Sequence, residues 1–197
     1  LEINQISLAS CGNNALHSGI VVENGGTLIL NNVVIGDALS AVKAEGGATI
    51  ILNDVNFSNN RIALHLAGQQ ATNLGSNSVI SNCLVESDQF SKAGTHRGFV
   101  LNNMNELNCA ILQCSFVNLE NALELNNDSY AQVVECDFEN ISSNNLISGG
   151  TVHLTSSSRV DITGLGGEPG DPPTFINCPA LVTGVQNRSI SMYECKS

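Results

Sequence analysis

The chain has no tryptophan, and charged residues make up only 13% of its 197 positions. Lys and Arg together number seven against eighteen Asp and Glu, a formal net charge of -11. That balance argues against nucleic acid or an anionic membrane surface as partner, because either needs a basic footprint to neutralise phosphates. A neutral glycan, a cation or a basic protein fits better. No apolar run approaches the roughly 20 residues of a membrane span, so no transmembrane segment is expected. No charged stretch followed by an apolar one opens the chain as an export signal would. Any such signal is therefore expected to have been removed or to lie outside these residues. The scarcity of charge itself suits parallel strands, where side chains stack on their own kind and like charges repel.

What is present is apolar content, 42% of the chain, arranged in a repeat. Ile20–Ile35 (IVVENGGTLILNNVVI) and Val42–Phe57 (VKAEGGATIILNDVNF) align without a gap at a spacing of 22 residues. Each reads as three short strands of alternating pattern separated by turns, too short for helices and broken by Gly-Gly and Asn-Asn or Asn-Asp. The same register runs through residues 1–197, which points to a single domain.

Carried along the chain, the register yields inward columns. One holds Ile6, Val33, Val55, Cys83, Cys114, Cys136, Leu165 and Cys195. Three residues earlier run Ile3, Leu30, Leu52, Ile80, Ile111, Val133, Ile162 and Met192, and five earlier run Leu1, Leu28, Ile50, Ser78, Cys109, Ala131, Val160 and Ile190. Two residues after the first column come Leu8, Ile35, Phe57, Val85, Phe116 and Phe138, lapsing to Gly167 and Ser197. Such columns require parallel, in-register pairing, because a slip of one residue turns every apolar side chain outward. Between strands sits a bend column of Gln5, Asn32, Asp54, Asn82, Gln113, Glu135, Gly164 and Glu194. Asn, Asp and Gly tolerate the left-handed backbone of a tight bend, whereas Gln and Glu suit it less. Period-2 alternation argues against leucine-rich or helical repeats; a two-sheet sandwich is the structural alternative.

These features resemble the pectin-lyase-like superfamily and, more broadly, bacterial cell-surface or secreted β-helix proteins. The resemblance covers essentially the whole chain and lies in the repeat pattern. It implies an all-β, right-handed parallel β-helix of about eight three-strand coils, with ligands along the outer face of the first strand. First strands are then expected at Ile20–Val22, Val42–Ala44, Leu64–Leu66, near Phe99–Leu101, Leu123–Leu125, Val152–Leu154 and Val182–Gly184. The spacing predicts loops at Glu86–Gly98, Ser142–Thr151, Gly166–Ala180 and Thr72–Asn77, where solenoids place function. The pattern starts and stops inside a strand, so the native protein is expected to continue beyond one or both ends.

Seven cysteines without framework spacing are not a disulfide scaffold. Cys83, Cys114, Cys136 and Cys109 read as small buried hydrophobes, while Cys11, Cys178 and Cys195 are unconstrained. No Cys-x-x-Cys or adjacent His points to a metal site, and no cofactor is expected.

Outward first-strand positions are Val21, Lys43, His65, Val100 or Asn102, Glu124, His153 and Thr183, flanked by Glu23, Glu45 and Asn126, with Lys92, His96 and Arg97 from the long loop. Here alone do ionisable groups line up on one face. Glycoside hydrolysis needs paired carboxyls, one to protonate the leaving oxygen and one to activate water, and Glu124 is the only acid in the column. A lyase needs a base, which Lys43, His65 or His153 would supply, but the acids expected for calcium are missing. The expectation is a non-enzymatic extracellular or cell-surface module: an adhesin, spacer or scaffold, or cargo of a bacterial secretion system. Its partners would be a polysaccharide, a glycoprotein surface or another surface protein, contacted through Glu23, Glu45, Asn126, His96 and Arg97. The alternative is a polysaccharide lyase or glycoside hydrolase with Glu124, His65, Lys43 and His153 in its groove.

Overall fold

The computed structural model describes residues 1–9, 16–68, 78–88, 96–104, 109–141, 150–163, 174–178, 182–185 and 189–193. Among them the chain is all-β, without a helix. The strands are β1 (Glu2–Asn4), β2 (Ser7–Leu8), β3 (Ile20–Val22), β4 (Thr27–Gly36), β5 (Val42–Glu45), β6 (Thr49–Ser58), β7 (Ile62–Ala67), β8 (Ser78–Ser81), β9 (Leu84–Glu86) and β10 (Arg97–Asn102). They continue as β11 (Cys109–Leu112), β12 (Ser115–Val117), β13 (Asn121–Asn126), β14 (Tyr130–Val134), β15 (Asp137–Glu139), β16 (Gly150–Thr155), β17 (Arg159–Thr163), β18 (Thr174–Ile176), β19 (Val182–Val185) and β20 (Ser189–Tyr193).

Every pairing between named strands is parallel, and the strands form two sheets. Sheet two runs β19-β16-β13-β10-β7-β5-β3, and sheet one holds the remaining thirteen strands. The chain alternates between the sheets and pairs each segment with its counterpart roughly one repeat away, an arrangement compatible with a β-helix or solenoid. In sheet one, β4 and β6 each span two of the repeat's strands, bending at Asn32 and Asp54. Beyond β6 the sheet divides into a branch through β8, β11, β14, β17 and β20 and another through β9, β12, β15 and β18.

The bends explain why the sheets curl. Gln5, Asn32, Asp54, Asn82, Gln113 and Glu135 all have φ between 52° and 54°. Gln and Glu therefore take the left-handed turn as fully as Asn does, which sequence preference alone did not anticipate. A second such column, Asp37, Asn59, Asn118, Asn140 and Asn177, turns the chain out of the other branch at φ 52° to 58°. Its amides stack: Asn177 Nδ2 donates to Asn140 Oδ1 at 2.8 Å, and Asn140 Nδ2 to Asn118 Oδ1 at 3.1 Å. Asn60, beside this column, is buried and spans a gap in the ladder. Its Oδ1 accepts from Ala38 N at 2.9 Å and its Nδ2 donates to Ile35 O at 2.7 Å, so it is not available to a ligand.

The inward columns are the core. Leu28, Leu30, Val33, Leu52, Ile80, Ile111, Cys136, Val133 and Ile162 are fully enclosed. Leu1, Ile6, Ile190 and Met192, expected inward, are exposed instead. Ile190 and Met192 lie in β20 and Leu1 and Ile6 flank β1 and β2, strands with a neighbour on one side only among the described residues. The aromatic column differs from expectation too. Phe138 is followed by Phe175, with rings stacked at 5.0 Å, and β18 pairs with β15 inside the segment expected to be loop. The excursion thus leaves after β17 and returns at Thr174. Where the column narrows to Val85, Phe99 of sheet two reaches across, edge-on to Phe57 at 6.2 Å and to Phe116 at 5.0 Å. Gly98 makes room for this, since a Cβ there would lie 2.2 Å from Ala122 O and 3.1 Å from the Phe116 ring.

Cys83, Cys109, Cys114 and Cys136 are buried free thiols. Cys83, Cys114 and Cys136 each donate to the carbonyl two residues back, at 3.3, 3.3 and 3.4 Å. Cys178 is a half-buried free thiol. Cys11, Cys195, Leu165, Gly164, Gly167, Glu194, Ser197, Lys92 and the Thr72–Asn77 loop lie outside the described residues.

Candidate functional site

Sheet two aligns Val21, Lys43, His65, Val100, Glu124, His153 and Thr183 across seven consecutive strands. Val100, not Asn102, fills the fourth place. The alignment follows from alternation: Leu64, Phe99, Leu123 and Val152 point into the core, so their successors face outward. Arg97 is not a loop residue but the first of β10, paired with Ile62 and Asn121. His96 precedes it, with Nδ1 3.0 Å from Asn60 O.

A connected polar group occupies the centre of this face. Arg97 Nη1 donates to Glu124 Oε2 at 3.0 Å. Glu124 Oε1 accepts from Asn126 Nδ2 at 3.0 Å, and Asn126 Oδ1 accepts from the Thr155 hydroxyl at 2.7 Å. One turn further out, Asn127 Nδ2 donates to Asn102 Oδ1 at 2.7 Å. Two strands from Arg97, Lys43 Nζ lies 2.7 Å from Glu45 Oε1. Glu23 sits apart, exposed in the turn after β3, where its carbonyl accepts from Gly26 N at 3.0 Å. The face is not uniformly open. Val100 and His153 are buried, whereas Lys43, Glu45, Asn102, Asn126 and Thr155 are half-buried, with 36% and 41% of the Lys43 and Glu45 side chains exposed.

Burial pushes the Glu124 carboxyl up, but the Asn126 hydrogen bond, the Arg97 guanidinium and His153 outweigh it and hold it below the usual carboxylate range. Desolvation lowers His65, and the Lys43 charge adds to the effect more than Glu45 offsets it. The hydrogen bond from Lys43 lowers Glu45. Glu120 moves the opposite way from Glu124. Burial raises it and the Glu124 charge adds, against opposition from Arg97 and His96. Glu120 is tied to this group by its own N–H, which donates to His96 O at 2.9 Å.

The fold thus brings His96, Arg97, Glu124 and Asn126 together, with Lys43, His65 and Glu45 in line and Glu23 remote. Sequence reasoning missed Glu120 and Thr155. Glu120 immediately precedes Asn121, the strand partner of Arg97, so its place beside Arg97 was readable once the β10 register was known. Thr155 follows from extending the Asn126 column by one strand. No group of three or more His, Cys, Asp or Glu that could hold a metal ion occurs among the described residues, nor a helix long and apolar enough to cross a membrane. No known family model, curated protein or solved structure matches the chain.

Proposed function

We propose that the chain is a right-handed parallel β-helix of the pectin-lyase-like kind, with about eight coils, serving as a non-enzymatic extracellular or cell-surface module. In this role it is an adhesin or scaffold that holds a polysaccharide or glycoprotein surface against the outer face of sheet two. The supporting observation is the chain of contacts Arg97–Glu124–Asn126–Thr155. The carboxylate best placed for catalysis has both oxygens occupied and is held ionised, so it has no proton to give a leaving group. Polar groups on three successive strands, β10, β13 and β16, locked by their neighbours suit the recognition of a polymer laid across them. Probing the intact protein on a glycan array tests this: binding is expected, and Arg97→Ala should weaken it. An empty array together with an empty pull-down from glycoprotein-bearing surfaces would leave only a spacer role.

One observation favours a second reading, a carbohydrate-active enzyme. Glu120 and Glu124 are displaced in opposite directions beside one guanidinium, and carboxyls whose environments separate them are how acid and base roles are assigned. Reducing-sugar release, or absorbance from unsaturated products, on a polysaccharide panel would establish it. Loss of that activity in Glu120→Gln would identify the acid.

A further inference from the structure

Among the described residues, the Lys and Arg within the strands of sheet two are matched rather than displayed. Lys43 is 2.7 Å from Glu45 and Arg97 is 3.0 Å from Glu124, so two of the chain's seven Lys and Arg are each neutralised locally. His65, between these pairs, is half-buried in a setting that favours its uncharged form. An incoming carboxylate or sulfate would meet an acid already paired with each cation, and like charges held together in an interface cost binding energy. The hydrogen-bonding capacity left over on this face is therefore dipolar: Asn102 Nδ2 and Asn127 Oδ1, whose amides are joined through their other atoms, the second amide proton of Asn126 and the acceptor lone pairs of the Thr155 hydroxyl. Hydroxyl groups donate and accept at once and match such partners without disturbing the ion pairs. Asn102, Asn126 and Thr155 fall on the three neighbouring strands β10, β13 and β16, about 4.8 Å apart, so a ligand that follows them runs along the stack.

We infer that the outer face of sheet two takes a neutral, hydroxyl-rich glycan chain laid along the stack, to the exclusion of acidic ones. This rests on the glycan-binding reading above and narrows it to one chemical class. Immobilised neutral oligomers (cello-, xylo- and manno-oligosaccharides) and acidic ones (oligogalacturonate, dextran sulfate) are compared with the full chain at low and high salt. The expected result is retention on a neutral oligomer, with affinity changing less than about twofold with salt, as uncharged contacts require. Glu124→Gln, which frees the Arg97 charge, should then gain about tenfold or more on dextran sulfate at low salt and lose that gain at high salt. Should that variant fold poorly, Glu45→Gln frees Lys43 and should shift in the same direction. Wild-type binding confined to acidic probes and weakened by salt overturns this inference while leaving glycan binding intact. Binding to neither class overturns both.

Discussion

At the scale of single residues, the bends carry the most transferable lesson. A left-handed backbone costs an ordinary L-residue about 1–2 kcal/mol, yet Gln113 and Glu135 adopt it at φ 53° and 52°. Their side chains recover little, being joined to each other by one exposed 2.9 Å contact. Glu135→Gly should therefore raise stability by about 0.5–1 kcal/mol, whereas Asn32→Ala should lower it by a similar amount; thermal melting distinguishes the two signs. The position of this column was legible because Asn, Asp and Gly recur there and the repeat spacing carried it on through Gln5, Gln113 and Glu135; that these three would take the left-handed backbone as fully as Asn was not, because residue preference speaks against it while the register of the paired strands imposes it. A second residue-scale consequence concerns acid. Glu124 is more acidic folded than unfolded, so its ion pair and amide contact stabilise the fold above the ordinary value of 4.5 and are lost as pH falls through the lowered one. Glu124→Gln should flatten the pH dependence of the urea midpoint below about pH 4.5 relative to wild type.

At the scale of elements, the aromatic column decides how the two sheets meet. Phe138 is fully buried, with Phe116 and Phe175 rings at 5.2 and 5.0 Å. Phe138→Ala should cost about 3–5 kcal/mol, while Phe175→Ala, at the end of the column and slightly exposed, should cost clearly less. Equal losses in denaturant unfolding would mean that the stack does not carry the packing. Most of the column was readable as apolar residues two places after the bend. Phe175 was not, because the repeat spacing places the third strand directly after Thr163, whereas β18 begins only at Thr174. Phe99 escaped for a different reason. It compensates for Val85 from the opposite sheet, a volume exchange that no single-strand pattern records. The outward face was legible for the same reason as the core: alternation fixes both faces at once, and Lys43, His65, Glu124 and His153 align as parity requires. Parity does not tell which outward residues are covered, so the burial of Val100 and His153 was invisible to it.

At the scale of the whole molecule, the buried thiols couple the stack to alkaline pH. Contact with Cys114, then burial, pushes Cys83 up; contact with Cys136, outweighing the opposing contact with Cys83, does the same to Cys114. Burial alone raises Cys109 to about 12. In the unfolded chain these thiols ionise near the ordinary value of 9.0, while the folded protein keeps their protons. The unfolded state therefore binds fewer protons above that value, and the stability supplied by the buried thiols, complete below it, falls as pH rises toward the folded values. Tyr130 is raised by burial and by Asp161 in the same sense, so the thiol share must be isolated by substitution. Urea midpoints of the wild type should fall steeply between about pH 9 and pH 12, the window between the unfolded thiol value and the folded value of Cys109. In Cys83→Ala/Cys114→Ala/Cys109→Ala that fall should shrink to the part contributed by tyrosine, although cavities lower the midpoint at every pH. Because coils in a stack contribute nearly additively with their neighbours, removing the three thiols should act as the sum of single substitutions at Cys109 and at the coupled pair. An alkaline slope unchanged in the triple variant would show that these sulfurs are not held as protonated core groups.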